Sequence, residues 1–192
     1  MIRANANPDD SDDVLMRYCV LQDNTEAFSI LVRRHQTRVL SYAARMLGGD
    51  LDAASDIAQE VFLRLWSGRS RYTAQAKLLS YLLHVAHNLC VSDLRSAMRH
   101  STIPLGDACN HLDGPRLSER AEAVREAVMA LPEEQRSVFV LSEYEGFSYA
   151  EIAEVLRVPA GTVASRKNRA ITLLRSALRP WQNGREGGIS TQ

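Results

Sequence analysis

Apolar residues recur along this chain at three- and four-residue intervals, and no stretch alternates apolar and polar positions long enough to make a strand. That period predicts an all-α protein. A short helix is expected from Ser11 to about Gln22. Asn24 can cap a longer one, carried by Ala27, Ile30, Leu31 and then Leu40 to Leu47, which stops at Gly48-Gly49. A third runs from about Leu51 to Ser67. The loop Ser67-Gly68-Arg69-Ser70-Arg71-Tyr72-Thr73 leads to a fourth, from Gln75 to about Arg99. The period then vanishes. Ser101 to Pro115 holds two prolines, two glycines and few large apolar residues, the composition of an interdomain linker. Helix resumes near Arg116, breaks before Pro132, continues through Val138, Phe139 and Leu141, and stops again at Gly146.

The segment after Gly146 is more specific. Ser148 precedes a short apolar-periodic run to Leu156, and Glu151 three residues on completes a capping box. Arg157-Val158-Pro159 makes the turn. The helix that follows, Ala160 to about Arg179, holds five Lys or Arg and no acid. At about 100° per residue, Val163, Ala170, Leu174 and Ala177 form one narrow buried stripe, and Thr162, Ser165, Arg166, Asn168 and Arg169 lie across from it. Those side chains hydrogen-bond nucleic acid: Arg to guanine, Asn to adenine, Ser and Thr to either. A single basic helix can equally be a solvated face. The capped helix and tight turn ahead of it instead make a helix-turn-helix, built to lay one helix in a major groove.

Length and charge add a second theme. The 192 residues admit one domain or two small ones. A formal net charge of zero excludes an indiscriminate nucleic-acid coat, but the charges are segregated. From Asp9 to Glu60 there are ten acids and five Lys or Arg; from Arg69 to Arg99 there are five Lys or Arg and the single acid Asp93. This asymmetry points to two partners, one of them anionic.

Two helix faces suit them. Asp56, Gln59, Glu60 and Leu63 share an arc of about 100°, opposed by Ile57, Ala58, Val61 and Leu65. A carboxylate-and-amide face with an exposed leucine can dock a basic protein surface, or simply be solvated. On the fourth helix Lys77, Tyr81, His84, Asn88 and Arg95 align within about 60°, with Leu78, Leu82, Ala86 and Leu89 as the buried side. Cation, aromatic, amide and cation along one stripe suit an unpaired strand, and Arg69, Arg71 and Tyr72 in the preceding loop extend it. Tyr81 and His84 could as well be half-buried packing residues.

Other chemistries find little support. The three cysteines, Cys19, Cys90 and Cys109, are odd in number and form no Cys-x-x-Cys pair, so a reducing cytoplasm is expected and a disulfide framework is not. His84, His87 and Cys90 drift by about 120° around a helix, too far to share an ion, so neither metal nor cofactor is expected. No Ser-His-Asp order or phosphate loop suggests an enzyme. The polar start, running into Asp9, Asp10, Asp12 and Asp13, is not a signal peptide. No apolar run approaches the roughly 20 residues that span a bilayer, so no membrane insertion is expected.

Taken in order, these blocks resemble a two-domain extracytoplasmic-function (ECF) RNA polymerase sigma factor, over roughly Asp23 to Leu178. Ala27-Phe28 through Arg33-Arg34-His35 and Arg38-Val39 is similar to the opening helix of sigma domain 2. Asp56-Ile57-Ala58-Gln59-Glu60-Val61-Phe62-Leu63 resembles the polymerase-binding segment. Tyr81 to Asn88 and Asp93-Leu94-Arg95 resemble the helix that meets the promoter −10 element. Leu131-Pro132 through Ala153, then Gly161-Thr162-Val163 through Arg169-Ala170, is similar to sigma domain 4.

The resemblance implies two small helical domains joined by a flexible linker: 1–99 for polymerase binding and −10 recognition and melting, 100–115 as linker, 116–180 for −35 recognition, and 181–192 as a disordered tail. It implies that Asp56, Gln59, Glu60 and Leu63 grip core RNA polymerase. Arg71, Tyr72, Lys77, Tyr81, His84, Asn88 and Arg95 would hold the opened −10 strand. Thr162, Ser165, Arg166, Asn168 and Arg169 would meet the −35 duplex of promoter DNA. An anti-sigma factor is implied as a further partner.

Three departures from the family pattern bear on the second domain. Ala164 stands where a cation is usual, Lys167 stands where an apolar residue is usual and must reach outward, and Arg157 replaces a turn glycine. If Arg157 is left-handed it costs about 1 kcal/mol. The alternative, a stand-alone helix-turn-helix regulator, leaves the faces of the first domain unused.

Overall fold

The computed structural model describes residues 6–72, 77–100 and 119–183. The helices are α1 (Asp12–Gln22), α2 (Thr25–Met46), α3 (Leu51–Ser67), α4 (Leu78–His100), α5 (Glu119–Met129), α6 (Glu133–Glu143), α7 (Tyr149–Leu156), α8 (Ala160–Ala177) and α9 (Arg179–Asn183), with a 3₁₀ turn at Arg69–Arg71 after α3. No strand occurs among the described residues. Two compact units emerge, one carrying α1–α4 and the other most of α5–α9. The expected linker at 101–115, the loop residues 73–76 and the tail from 184 on lie outside the described residues.

In the first unit the helix starts follow from short polar caps. Ser11, Asn24 and Asp50 each accept a backbone N–H from the first turn they precede, satisfying donors that the helix itself leaves without partners. Gly48 and Gly49, at φ 71° and 95°, turn the chain after α2 where a side chain would be strained. α2 packs on α1, α3 and α4 and supplies the middle of the core with Leu31, Val39, Tyr42 and Met46, all fully buried. Leu15 and Met16 close it from α1, Val61 and Leu65 from α3, and Leu78, Leu82, Leu83 and Ala86 from α4. Each such Leu, Val or Met side chain contributes about 1.5–3 kcal/mol on burial. The one phenol in this layer is satisfied: Tyr42 Oη lies 3.2 Å from His87 Nδ1.

The two described cysteines belong to the same layer. Burial pushes the Cys19 thiol up to about 11 and the Cys90 thiol up to about 12. Both stay protonated at neutral pH and behave as small apolar residues. Of the trio His84, His87 and Cys90, His87 faces Tyr42, Cys90 is buried, and His84 Nε2 lies 3.1 Å from Asn88 Nδ2. Among the described residues no three His, Cys, Asp or Glu side chains are grouped to hold a metal. None of the described helices is long and apolar enough to cross a membrane.

The second unit is built on α8, which packs along α6 and against α5. Val138, Leu141, Ile152, Val163 and Ala170 are fully buried there. Arg136 is buried too, and its Nη2 donates to the carbonyls of Met129 (2.5 Å) and Leu131 (3.1 Å), closing the end of α5. The capping box forms as expected: Glu151 N donates to Ser148 Oγ at 3.3 Å and Ser148 N to Glu151 Oε2 at 3.0 Å. Gly146 enters the motif at φ 70°.

Arg157 at the turn is left-handed, φ 53° and ψ 47°. This conformation crowds Cβ against the neighbouring carbonyl. Arg157→Gly is therefore expected to stabilise the unit by about 0.5–1 kcal/mol, raising its melting temperature by a few degrees in a thermal scan of the whole chain.

Several details differ from what the apolar period predicts: α4 begins at Leu78, so Lys77 lies ahead of it, and Ala58 and Leu89 are only half-buried. Ala177 is exposed, so the buried stripe of α8 ends at Leu174. The expected tail after Pro180 instead begins within a helical turn, α9, because proline in a first turn lacks only an N–H that has no intrahelical partner anyway.

Candidate nucleic-acid and protein interfaces

The α3 face is presented as its period requires. Asp56 and Gln59 are exposed, Glu60 is half-exposed, and the Leu63 side chain stands 60% accessible. Glu60 is not idle: its Oε1 accepts from Arg64 Nε at 2.6 Å, one helical turn on. Asp56 is thus the acid of this face whose charge is least compensated along the helix.

Beside this face runs an apolar groove of about 760 Å³ between α2 and α3. Phe28, Val32, Leu40, Phe62 and Trp66 line it, and Gln59 and Leu63 form its rim. Phe28 stacks obliquely on Trp66, ring centroids 4.9 Å apart, and edge-on to Phe62 at 6.5 Å. Sequence periodicity passes over Phe28 and Val32 because they fall beside, not within, the buried stripe of α2. Their i, i+4 spacing next to an acidic helix face is the signal that could have found them.

Lys77, just ahead of α4, and Asn88 and Arg95 on it are exposed, while Tyr81 and His84 are half-buried. Asn88 and His84 are joined at 3.1 Å. In the preceding loop Arg71 is exposed and Tyr72 is half-buried. The Tyr72 ring meets Tyr81 edge-on, centroids 6.4 Å apart and planes at 80°. Loop and helix stripe therefore meet through two tyrosines.

α8 divides its polar residues into two sets. Ser165, Asn168 and Arg169 are exposed and Thr162 is half-buried. Arg166 is different. Its Nη2 lies 2.9 Å from Glu134 Oε1, and its side chain is only 19% accessible. Lys167 corrects the expectation that it reaches outward. Its side chain is 17% accessible, and its ammonium lies 2.7 Å from Glu143 Oε1, hydrogen-bonds Ser142 Oγ and sits 5.5 Å from the centre of the Tyr149 ring. The Lys167 cation is accommodated by Glu143 and Ser142 at the end of α6.

That clasp carries a pH dependence. The Lys167 hydrogen bond holds the Glu143 carboxyl below the ordinary glutamate range, against the opposing effect of burial. A depressed carboxylate pKa gives stability that is present above about pH 4.3 and lost as pH falls through the lowered native value. Thermal melting between pH 6 and pH 3 should show this loss, and Lys167→Met should flatten that part of the profile.

Each unit has known relatives. Residues 31–100 match the family model described as Sigma-70 region 2, and residues 121–174 match Sigma-70, region 4. The ECF RNA polymerase sigma factor SigM of Mycobacterium tuberculosis is 38% identical over 75% of this chain and 73% of its own. The chain belongs to the ECF sigma factors. The RNA polymerase sigma-H factor of Pseudomonas aeruginosa is 30% identical, over 84% of this chain and 91% of that protein. Among solved structures, the sigma factor RpoE from Bartonella quintana, in complex with the anti-sigma factor NepR, superposes with a TM-score of 0.66. It covers 79% of this chain and 96% of that one at 21% identity, a likeness of fold.

As a member of this family the chain is a transcription initiation factor that directs core RNA polymerase to promoters. A stand-alone helix-turn-helix regulator would account for the region 4 match alone.

Proposed function

We propose a division of labour between the two units of this sigma factor. Residues 1–99 bind the polymerase through Asp56, Gln59, Glu60 and Leu63 and open the −10 element through Arg71, Tyr72, Lys77, Tyr81, His84, Asn88 and Arg95. Residues 116–180 read the −35 element from α8, and 100–115 link the two. Tyr81 offers a ring on which an unpaired base stacks, a contact worth about 1–3 kcal/mol per base. That gain offsets the few kcal/mol spent on unstacking. Lys77 and Arg95 draw in the phosphates on either side. The polymerase supplies the bond chemistry; this chain supplies address and strand separation, working in the cytoplasm.

On α8, Ser165, Asn168 and Arg169 reach base edges and Thr162 lies nearer the backbone. Arg166 joins them at a phosphate only by leaving Glu134. Glu134→Ala should therefore tighten duplex binding and steepen its salt dependence by about one counterion in a titration across salt concentrations. The regulator is an anti-sigma protein, by analogy with the NepR-bound relative.

The observation that carries this reading is the match of regions 2 and 4 to separate helical units, each with an exposed face of the right chemistry. Run-off transcription with purified core polymerase over a promoter library tests it. New start sites should appear only when the chain is added, and no stimulation at any site would overturn the reading.

A further inference from the structure

The loop that carries Arg71 and Tyr72 is held from both ends of α1, a helix that lies ahead of the matched region 2 segment. At the far end of α1, Asp23 accepts from Arg69 Nη2 at 2.5 Å, while the Arg69 guanidinium lies 4.2 Å over the Trp66 ring. At the near end, Tyr72 Oη donates to Asp13 Oδ1 at 3.2 Å. α1 is itself anchored, since the neighbouring Asp12 carboxylate takes Arg34 Nη1 at 2.5 Å and His35 Nε2 at 2.8 Å. A carboxylate beside an approaching phosphate backbone repels it, so Asp13 is unsuited to touching DNA. What it touches is the hydroxyl that sets the plane of Tyr72, and Tyr72 meets Tyr81 edge-on. Burial and the Asp13 charge push Tyr72 up to about 12, so the phenol remains a donor throughout the working range.

We infer that Asp13 is a positioning residue for promoter opening, fixing Tyr72 so that Tyr72 in turn holds the Tyr81 ring in place for an unpaired base. The inference rests on the reading of Tyr81 as a −10 residue. A positioned ring lowers the cost of capturing a base as the duplex opens and matters less when the strands are already apart.

The test uses the full chain with core polymerase on one promoter in two forms, fully paired and with a pre-opened −10 bubble. Losing one hydrogen bond of ordinary strength should slow opening of the paired form about fivefold in both Asp13→Ala and Tyr72→Phe. Because the two residues share one interaction, the double variant should be no slower than either alone. Asp13→Asn, which keeps an acceptor at Oδ1, should open at close to the native rate. On the bubble form Asp13→Ala and Asp13→Asn should match the unaltered chain, as should their affinity for core. Tyr81→Ala tells the role of Asp13 apart from that of the ring itself. If Tyr81→Ala slows opening and Asp13→Ala does not, the role of Asp13 is refuted while the −10 reading stands. If Tyr81→Ala opens normally, both fall. Equal slowing by Asp13→Ala on both templates would make Asp13 a support of α1 alone and overturn the inference.

Discussion

Asp56→Lys should cost this sigma factor at least a hundredfold in affinity for core RNA polymerase while leaving its fold intact. The residue is exposed in the middle of α3, where a substitution changes stability by less than about 0.5 kcal/mol. Neighbouring Glu60 shares its charge with Arg64, so Asp56 presents most of the negative potential on this face. Reversing it places like charges against the basic surface proposed to meet it, a juxtaposition that costs several kcal/mol. Leu63→Ala should weaken binding by a smaller factor, because its 60% accessible side chain offers apolar area at the rim of the α2–α3 groove without charge. Fluorescence titration of labelled chain against core reads both. Native-like affinity in Asp56→Lys would remove α3 from the polymerase interface.

Arg169→Ala should reduce holoenzyme binding to a −35-bearing promoter by about 1–3 kcal/mol, about five- to 150-fold. Arg169 lies exposed on the same outer face of α8 as Ser165, while the buried Ala170 beside it fixes which way that face turns. A side chain that bonds a base edge discriminates one base pair from others, so the variant should also lose preference at one position of the −35 element. Selection from a randomised −35 library, scored with the native chain and the variant, reads both effects. Uniform weakening across all sequences would reassign Arg169 to a phosphate.

Much of this architecture is legible in the amino-acid sequence because its signals are local. Ser11 and Asn24 sit where the helix needs an acceptor, Gly48-Gly49 where it needs a left-handed turn, and Ser148 with Glu151 where two donors need partners. Apolar period locates the buried faces of α3, α4 and most of α8. It fails where a signal has two meanings. Pro180 reads as a stop, yet in a first turn it opens α9.

The pairings of charged residues are out of its reach for a different reason. Arg166 finds Glu134 and Lys167 finds Glu143 across the α6–α8 packing, and Tyr72 finds Asp13 from 59 positions away. Helical period says that these side chains point outward from their own axis. Only the packing of a second helix says what stands opposite. The same holds for the α2–α3 groove, whose walls come from two helices with separate periods.

In the proposed division of labour the front unit parts the strands with its tyrosine-bearing stripe while the rear unit holds the upstream site. Permanganate footprinting of a responsive promoter, with core polymerase and this chain together, measures both at once when combined with protection of the −35 duplex. Reactive thymines are expected in the −10 element with the native chain, and an intact −35 footprint without those thymines for Tyr81→Ala. Reactive thymines with core alone, or equal reactivity in Tyr81→Ala, would contradict that claim.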